Sequence, residues 1–399
     1  MQNNITHASI VPLIGGMVLA SNNAFGKLPE YILSHDAFAD NDNHIVEHLA
    51  KQGWDKYYSL DGEVPKLPSV DVISTLCPCA GLSSLSPSAS GTNPMNDWMV
   101  NVADYVLENL KPKVFWGENA PRLATNLGKP VRERLEAIAM KQGYTFLIYQ
   151  TKSLLHGVPQ VRDRTFYFFF KENHRIPVFP FYRAPLQTIE DLIRSVKPRA
   201  DDVLVNKKTP TIDDPFYRYT LEVLGLKTHK EFQNHITKSE SPIGGFEQIT
   251  GKTFKDFAEW IRPESEKMYE NWMKKYEKIE SGRNIMRKGT TIPKGHIGAF
   301  VGHYPAALTH PDEDRYLTER ECLAIMKMPE DFEFNWKGKK NVNHVCQNVP
   351  ISTATSIAHM IKDYLDGTNK EFIEADAMMI DNRAQRIHDV QRNVDGQLF

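Results

Sequence analysis

Cysteine is scarce. Four cysteines in 399 residues make no disulfide framework, and a reducing, cytoplasmic compartment is expected. Cys77 and Cys79 stand one residue apart, whereas zinc knuckles space a ligand pair by two to four residues and need a second pair. Cys322 and Cys346 supply none, and no C-x-x-C redox pair occurs; no metal is expected. An excess of one charge is also missing. Forty-eight basic residues face 50 acidic ones, a formal charge of -2, which does not mark a nonspecific polyanion binder, although a basic surface can sit inside a neutral total. Long apolar runs are absent too. The opening "MQNNITHASIVPLIGGMVLASNN" lacks a positive n-region and is broken by Pro12, Gly15 and Gly16, so it is predicted as strand and turn rather than signal peptide. No later run approaches the roughly 20 residues of a membrane helix, so no membrane partner is expected. No internal repeat is found.

What is present is an alternation. Apolar runs at Ile10–Leu13, Tyr31–Ser34, Val70–Leu76, Val114–Trp116, Thr145–Tyr149 and Thr165–Phe170 predict strands. Between them, Asn43–Gly53, Trp98–Leu110 and Val131–Gln142 predict helices. Strand and helix in turn, with β-branched and aromatic strands, predict an α/β unit with a mainly parallel sheet. Its functional residues should gather at the carboxyl ends of the strands. After Phe170 the texture changes: "KENHRIPVFPFYRAP" is proline-broken, and residues 187–295 show no clear alternation. Within Arg262–Lys294 nine basic side chains stand against five acidic ones, a local excess of +4. That run is either a solvated helix face or a surface facing phosphates. Compact patterns return near Gly295. "LTERECLAIMKMPEDF" reads as a helix capped by Thr318 with Glu321 three residues on, and "NVPISTATSIAHMIKDYL" as a helix opening near Ser352 or Thr353. The polar tail from Gly367 reads as a peripheral helix or a partly disordered segment.

Three polar constellations carry the chemistry. In "DVISTLCPCAGLSSLSPSASG" a strand runs into Pro78-Cys79 and then a Gly/Ser-rich loop. A proline-fixed turn is a good mount for a nucleophilic thiol, and the loop can move over a substrate; an inert buried cysteine is the alternative. In "VFWGENAPRL" Glu118-Asn119 ends an apolar strand. A partly buried glutamate there has a raised pKa and can deliver a proton near neutrality; a turn cap is the alternative. In "GVPQVRDRTFYFFF" Gln160, Arg162 and Arg164 alternate into a strand and can face one side. Two guanidiniums so placed hold an anion or carboxylate; an edge-strand salt bridge is the alternative.

Taken in order, Pro-Cys, Glu-Asn and Gln-x-Arg-x-Arg resemble the DNA cytosine-C5 methyltransferases. "RYLTERECLAIMKMPEDF" and "HVCQNVPISTATSIAHMI" are similar to that family's last two motifs. The resemblance frames nearly the whole chain; any one motif is weak, and five in order are strong. It implies the α/β fold of S-adenosylmethionine-dependent methyltransferases, with a catalytic domain at 1–180 and 296–366. A smaller target-recognition domain would be inserted at 181–295, and a peripheral tail would occupy 367–399. It implies S-adenosyl-L-methionine as donor, double-stranded DNA as partner, and a monomer. Cys79 would attack C6 of a flipped cytosine, Glu118 would hold or protonate N3, and Arg164 with Arg162 would bind near the cytosine carbonyl and the catalytic loop. Pro78, Asn119 and Gln160 would support them, Asn119 by bracing Pro78. Ser83 and Ser84 would open the catalytic loop, which runs to about Pro94.

The resemblance places the donor on Gly15, Gly16, Asp36, Asp61, Gln347 and Val349. Asp36 suits the ribose hydroxyls, and Asp61 lies near the adenine. Three departures stand out. Leu13 occupies the first glycine of the family's Phe-x-Gly-x-Gly-Gly turn, Ala80 replaces the glutamine of Pro-Cys-Gln, and Cys346-Gln347-Asn348-Val349-Pro350 replaces Gly-Asn-Ala-Val-Pro. They touch the donor pocket, while Cys79, Glu118, Gln160, Arg162 and Arg164 stand. Retained cytosine-C5 chemistry is therefore expected. Two alternatives keep their place: the same cysteine addition with another one-carbon donor or an RNA or nucleotide substrate, and a non-catalytic DNA-binding relative.

Overall fold

The computed structural model describes residues 4–84, 86–171, 175–180, 182–206, 215–227, 231, 250–281, 293–302, 304–313, 315–335, 339–368 and 372–374. Part of the basic run, including Arg283, Arg287 and Lys288, and the tail beyond Glu374 lie outside them.

The chain divides into two compact units, one of Met1–Gln187, Ile325–Lys337 and His344–Phe399, the other of Thr188–Ala324 and Gly338–Asn343. The first holds a seven-stranded sheet. Strand β1 (His7–Ile10) leads through a sharp turn into helix α1 (Gly16–Phe25). Strands β2 (Ile32–Ser34), β3 (Tyr57–Ser59), β4 (Val72–Thr75) and β5 (Val114–Asn119) follow, interleaved with helices α2 (Ala39–Ala50), α3 (Asp97–Tyr105) and α4 (Lys129–Gln142). Strands β6 (Tyr144–Lys152) and β7 (Asp163–Lys171) complete the sheet in the order β3-β2-β1-β4-β5-β7-β6. The first five strands pair in parallel, and β7 pairs antiparallel with both β5 and β6. The strand order reverses between β1 and β4, which opens a crevice at their carboxyl ends.

The sequence explains the sheet's depth. The run Phe166–Phe170 is aromatic at every position and fully buried, as expected of a strand covered on both faces. Phe115 stacks on Phe169, and Trp116 on Phe168. Gly117 is required among these rings: a Cβ there would lie 2.3 Å from the Tyr167 ring.

Three expectations are corrected. The strand predicted at Ile10–Leu13 ends at Ile10, because Val11 and Leu13 both adopt φ 51°, a left-handed backbone that cannot continue a strand. Behind this turn lies a full helix, α1, where a turn alone was predicted; Gly15 caps it at φ 88°. Helix α3 yields at Val106 to a π-helical turn through Leu110, which shortens the predicted helix.

The second unit includes helices α5 (Ile189–Ser195), α6 (Pro215–Leu224), α7 (Phe254–Ile261) and α8 (Glu266–Glu280). Phe216, Tyr219, Phe254, Phe257 and Trp272 form its aromatic core, and Thr253 with Asp256 makes a capping box on α7. Helix α9 (Glu319–Ile325) carries the box predicted at its start: the Glu321 carboxylate accepts from the Thr318 amide at 2.8 Å, and Thr318 Oγ1 accepts from the Glu321 amide at 3.1 Å. Helices α10 (Lys339–Gln347) and α11 (Ile351–Leu365) follow, and α11 packs along α1. Among the described residues no helix is long and apolar enough to cross a membrane.

Candidate active site

Strands β4 and β5 run side by side in register, with Thr75 opposite Gly117. Just beyond these partners Cys77-Pro78-Cys79 leaves the sheet from β4, while Glu118 continues β5, paired with Phe166 of β7. Cys77 is fully buried, and burial pushes its thiol up to about 12, against the pull of hydrogen bonds with Thr75 and Tyr167. It is an apolar filler at neutral pH. Cys79, two residues on, is partly exposed and free. Its carbonyl accepts the Leu82 amide at 3.1 Å, closing a turn that ends the strand.

The loop beyond carries no charged side chain from Ala80 to Asn96. It is tied by short polar bonds instead. Ser90 N–H donates to the Gly81 carbonyl at 3.0 Å, Asn96 Nδ2 to the Ser90 carbonyl at 2.9 Å, and Arg122 Nη1 to the Ser83 carbonyl at 3.4 Å. Gly81 admits no side chain, since a Cβ would stand 2.2 Å from Asn96 Oδ1. Ser84 is exposed.

Glu118 is 2 % exposed. Burial raises its pKa, and the charges of Arg164 and Arg162 oppose that shift. Arg164 Nε pairs directly with Glu118 Oε1; the antiparallel β5–β7 register, with Asn119 opposite Thr165, brings the two together. A carboxyl group held by one guanidinium in a dry setting keeps a fixed orientation, and its burial favours the protonated form. Asn119 Oδ1 accepts the Ala120 amide at 2.9 Å, while its buried Nδ2 has no acceptor among the described residues. Gln160 is buried with Nε2 3.5 Å from Met326 Sδ.

Arg162 points elsewhere. It is 1 % exposed, and its Nη2 donates to the carbonyls of Asn348 at 2.6 Å and Cys346 at 3.1 Å. Burial lowers its pKa, as does the neighbouring Arg164, while Glu118 and Cys79 oppose them. The thiol of Cys79 thus lies within electrostatic reach of this guanidinium. Asn348 Oδ1 in turn accepts the Gly16 amide at 3.0 Å, so one tether runs from Arg162 through the segment before α11 to the start of α1. Gly16 must be glycine: a Cβ would lie 2.4 Å from both Asn348 Oδ1 and the Val349 carbonyl, and one on Gly15 would lie 2.3 Å from Ile45. Gln347 sits beside this tether and accepts Asn41 Nδ2 at 3.4 Å.

At the ends of β2 and β3 a second polar group forms. Asp36 N–H donates to Asp61 Oδ2 at 2.6 Å, Ser59 Oγ donates to Asp36 Oδ1 at 2.8 Å, and His35 Nε2 lies 3.0 Å from Asp61 Oδ1. Both aspartates are exposed, and the Trp98 ring packs edge-to-face with His35 and Phe38, centroids 4.8 Å apart in each pair. Trp98, Phe38 and Asn348 escaped the sequence reading. The one signal for Asn348 was its place before Val-Pro at a helix start, and the aromatics carried none.

Residues 14–363 match the family model of the C-5 cytosine-specific DNA methylases. The chain is similar to Type II methyltransferase M.PspPI of Psychrobacter sp. (strain TA137), 21% identical over 308 residues that make up 76% of this chain and 67% of that protein. It is similar also to Type II methyltransferase M.Bpa9945I of Bacillus paralicheniformis, 27% identical over 332 residues, 75% of this chain and 72% of that one. Among solved structures, a DNA modification methyltransferase encoded within an E. coli prophage superimposes with a TM-score of 0.56 at 15% identity, covering 91% of this chain and 99% of that one. Entamoeba histolytica methyltransferase EhMeth gives 0.53 at 12% identity, with the same coverage. These two likenesses concern the fold.

Proposed function

The chain belongs to the C-5 cytosine-specific DNA methylases, and from that premise we propose that it methylates cytosine in duplex DNA through a covalent adduct on Cys79, with S-adenosylmethionine as donor. The observation that carries this reading is the paired end of β4 and β5: a partly exposed Cys79 just past β4 and a buried, arginine-held Glu118 on β5, both near enough to Arg162 to act on its charge.

Cytosine C5 is a weak nucleophile until a neighbouring carbon is attacked. Cys79 Sγ adds to C6 while Glu118 gives a proton to N3, so the ring becomes an enamine with electron density at C5. Burial raises the pKa of Glu118, which favours the protonated form that N3 requires, and Arg164 fixes its orientation. When bound, S-adenosylmethionine supplies an electrophilic methyl group. After C5 carries the methyl, a base takes the C5 proton, the freed electron pair forms the C5–C6 double bond as the Cys79 thiolate leaves, and N3 returns its proton to Glu118, which restores the aromatic ring. The target must leave the helix to reach a buried acid, at a cost of a few kcal/mol that pocket contacts offset; the uncharged Ser/Gly loop is suited to close over it.

The residues fit the donor. Asp36 and Asp61, exposed and bridged by Ser59 at the strand ends, suit ribose and adenine; Trp98 and Phe38 offer aromatic surface beside them. Gly15 and Gly16, with Val349 behind them, shape the turn at the start of α1, and Gln347 borders it. We assign residues 1–180 and 296–366 to catalysis and 181–295 to target recognition. Helix α8 supports the second assignment. Its apolar residues Met268, Trp272, Tyr276 and Ile279 pack on the aromatic core. Exposed Lys267, Asn271, Lys274 and Lys278 share one face at helical spacing, apart from a row of Glu266, Glu270 and Glu277. A segregated lysine row meets the phosphates of a duplex.

The test is incubation with duplex DNA and S-adenosylmethionine, followed by mass analysis of the nucleosides. 5-Methylcytosine is expected, absent with Cys79→Ser. A different mass increment would refute the donor, and an unmodified DNA pool the reaction.

A further inference from the structure

We propose that His44 and His344 are a positioning pair for the methyl donor: one buried histidine–histidine hydrogen bond clamps α2 to the last turn of α10 and so sets the wall of the donor pocket. The role of the pair rests on the donor reading above. Helix α2 turns a polar face inward. Asn41, His44, Ile45 and His48 fall at helical spacing on one side, and His44, Ile45 and His48 are buried. Packing alone would be met by apolar residues there, and a buried imidazole is costly unless its nitrogens are matched. Those of His44 are matched. The Asn335 backbone N–H donates to its Nδ1 at 3.1 Å, and its Nε2 lies 3.1 Å from Nδ1 of His344, itself buried. A backbone amide can only donate, so His44 Nδ1 carries no proton and Nε2 does. The second bond therefore runs one way, from His44 Nε2–H to a bare His344 Nδ1. Both rings are neutral in this arrangement. Burial suits that state, lowering the His44 pKa to about 4, and His344 adds to the shift.

The clamp stands next to residues assigned to the donor. Asn41, three residues before His44, donates its Nδ2 at 3.4 Å to Oε1 of Gln347, three residues after His344. The two rungs thus run antiparallel between α2 and the end of α10, and the histidine rung is the shorter. One residue past His44, Ile45 fills the space that a Gly15 side chain would need. One residue past Gln347, Asn348 Oδ1 accepts the Gly16 amide at 3.0 Å. The turn at Gly15–Gly16 is therefore braced from α2 and from the end of α10, and the histidine bond fixes where those two supports stand relative to each other. Neither histidine takes part in the cytosine chemistry.

His344→Leu removes the acceptor, and His344→Asn keeps one where Nδ1 stands. With S-adenosylmethionine as the probe, His344→Leu is expected to raise the donor Kd and KM about tenfold, the value of one buried hydrogen bond lost. Its kcat at saturating donor should stay within about twofold of wild type. His344→Asn should restore most of the affinity. In a His44→Leu background the further change His344→Leu should add nothing, because the two rings act as one rung. Exchange of the Gly16 amide, measured without donor, should quicken in His344→Leu and recover in His344→Asn. Where leucine prevents folding, His344→Gln, whose acceptor lies one bond further out, takes its place with the same expectation. Unchanged donor affinity in the folded variant would overturn the proposal, as would a fall in kcat alone, an asparagine variant no better than leucine, or additive effects of the two histidines. A wild type that binds no S-adenosylmethionine would refute the donor reading and, with it, the donor role of the pair. The Gly16 exchange would then still decide whether the pair holds the turn.

Discussion

Arg162 and Arg164 stand two residues apart in one motif, yet the structure gives them different work. Replacing Arg162 with methionine keeps much of the side-chain volume and removes the guanidinium. Two buried carbonyls, of Asn348 and Cys346, then lose their donor. Each such acceptor left unsatisfied costs about 1–3 kcal/mol. Removing a cation from a site where it is 1 % exposed returns part of that, because the buried charge was itself unfavourable. The Glu118 carboxyl also loses one of its two positive neighbours. A net loss of about 3 kcal/mol is expected, a fall in Tm of about 6–12 °C for a unit of this size. The slackened tether runs through Asn348 to Gly16, so donor affinity should weaken by about tenfold. Differential scanning calorimetry and donor titration read the two effects. A variant with wild-type Tm and donor affinity but a collapsed kcat would refute the tether and return Arg162 to the cytosine.

Other expectations follow from the same geometry. Glu118→Gln keeps the shape but cannot give up a proton to N3, and kcat should fall about 10²–10⁴-fold with donor affinity unchanged; a variant at full rate would remove Glu118 from the chemistry. Triple replacement of Lys267, Lys274 and Lys278 by alanine should flatten the slope of log Kd for duplex DNA against log salt by roughly 2 to 3 units; an unaltered slope would place the DNA elsewhere. His7, His44 and His156 are each lowered by burial from 6.5 to about 4. A folded-state pKa below the unfolded one means that stability is intact above about pH 6.5 and drains away as pH falls toward 4, by roughly 3 kcal/mol for His7 alone. Melting curves from pH 7.5 to 4.5 check this, and a Tm independent of pH across that range would contradict it.

The sheet was legible because its strands announce themselves. Strands covered on both faces are continuous apolar runs, as Val114–Trp116 and Thr165–Phe170 are. The order of Pro-Cys, Glu-Asn and Gln-x-Arg-x-Arg was legible for a related reason: residues at strand ends must follow chain order. The bend after Ile10 was not. Nothing in "IVPLIGG" states that a valine and a leucine will take left-handed backbone, because the turn is set by tertiary contacts, Asn348 Oδ1 on the Gly16 amide and Ile45 against Gly15 among them. The partner of Arg162 was hidden likewise, since its carbonyls lie at Cys346 and Asn348 and backbone acceptors leave no mark in a sequence. Asp42 reads locally as an exposed helix-start acid. Only the packing of α2 beneath the turn shows it buried.

The central claim is that Cys79 bonds to cytosine during methyl transfer. Duplex DNA containing 5-fluorocytosine, incubated with S-adenosylmethionine, tests it most directly, because fluorine cannot leave as a proton does and the adduct is trapped. The account predicts a covalent protein–DNA complex that survives denaturation, maps to Cys79 and is lost in Cys79→Ser. Methylation of ordinary cytosine by the Cys79→Ser variant, or a wild-type enzyme that methylates DNA yet leaves no trapped complex, would contradict it.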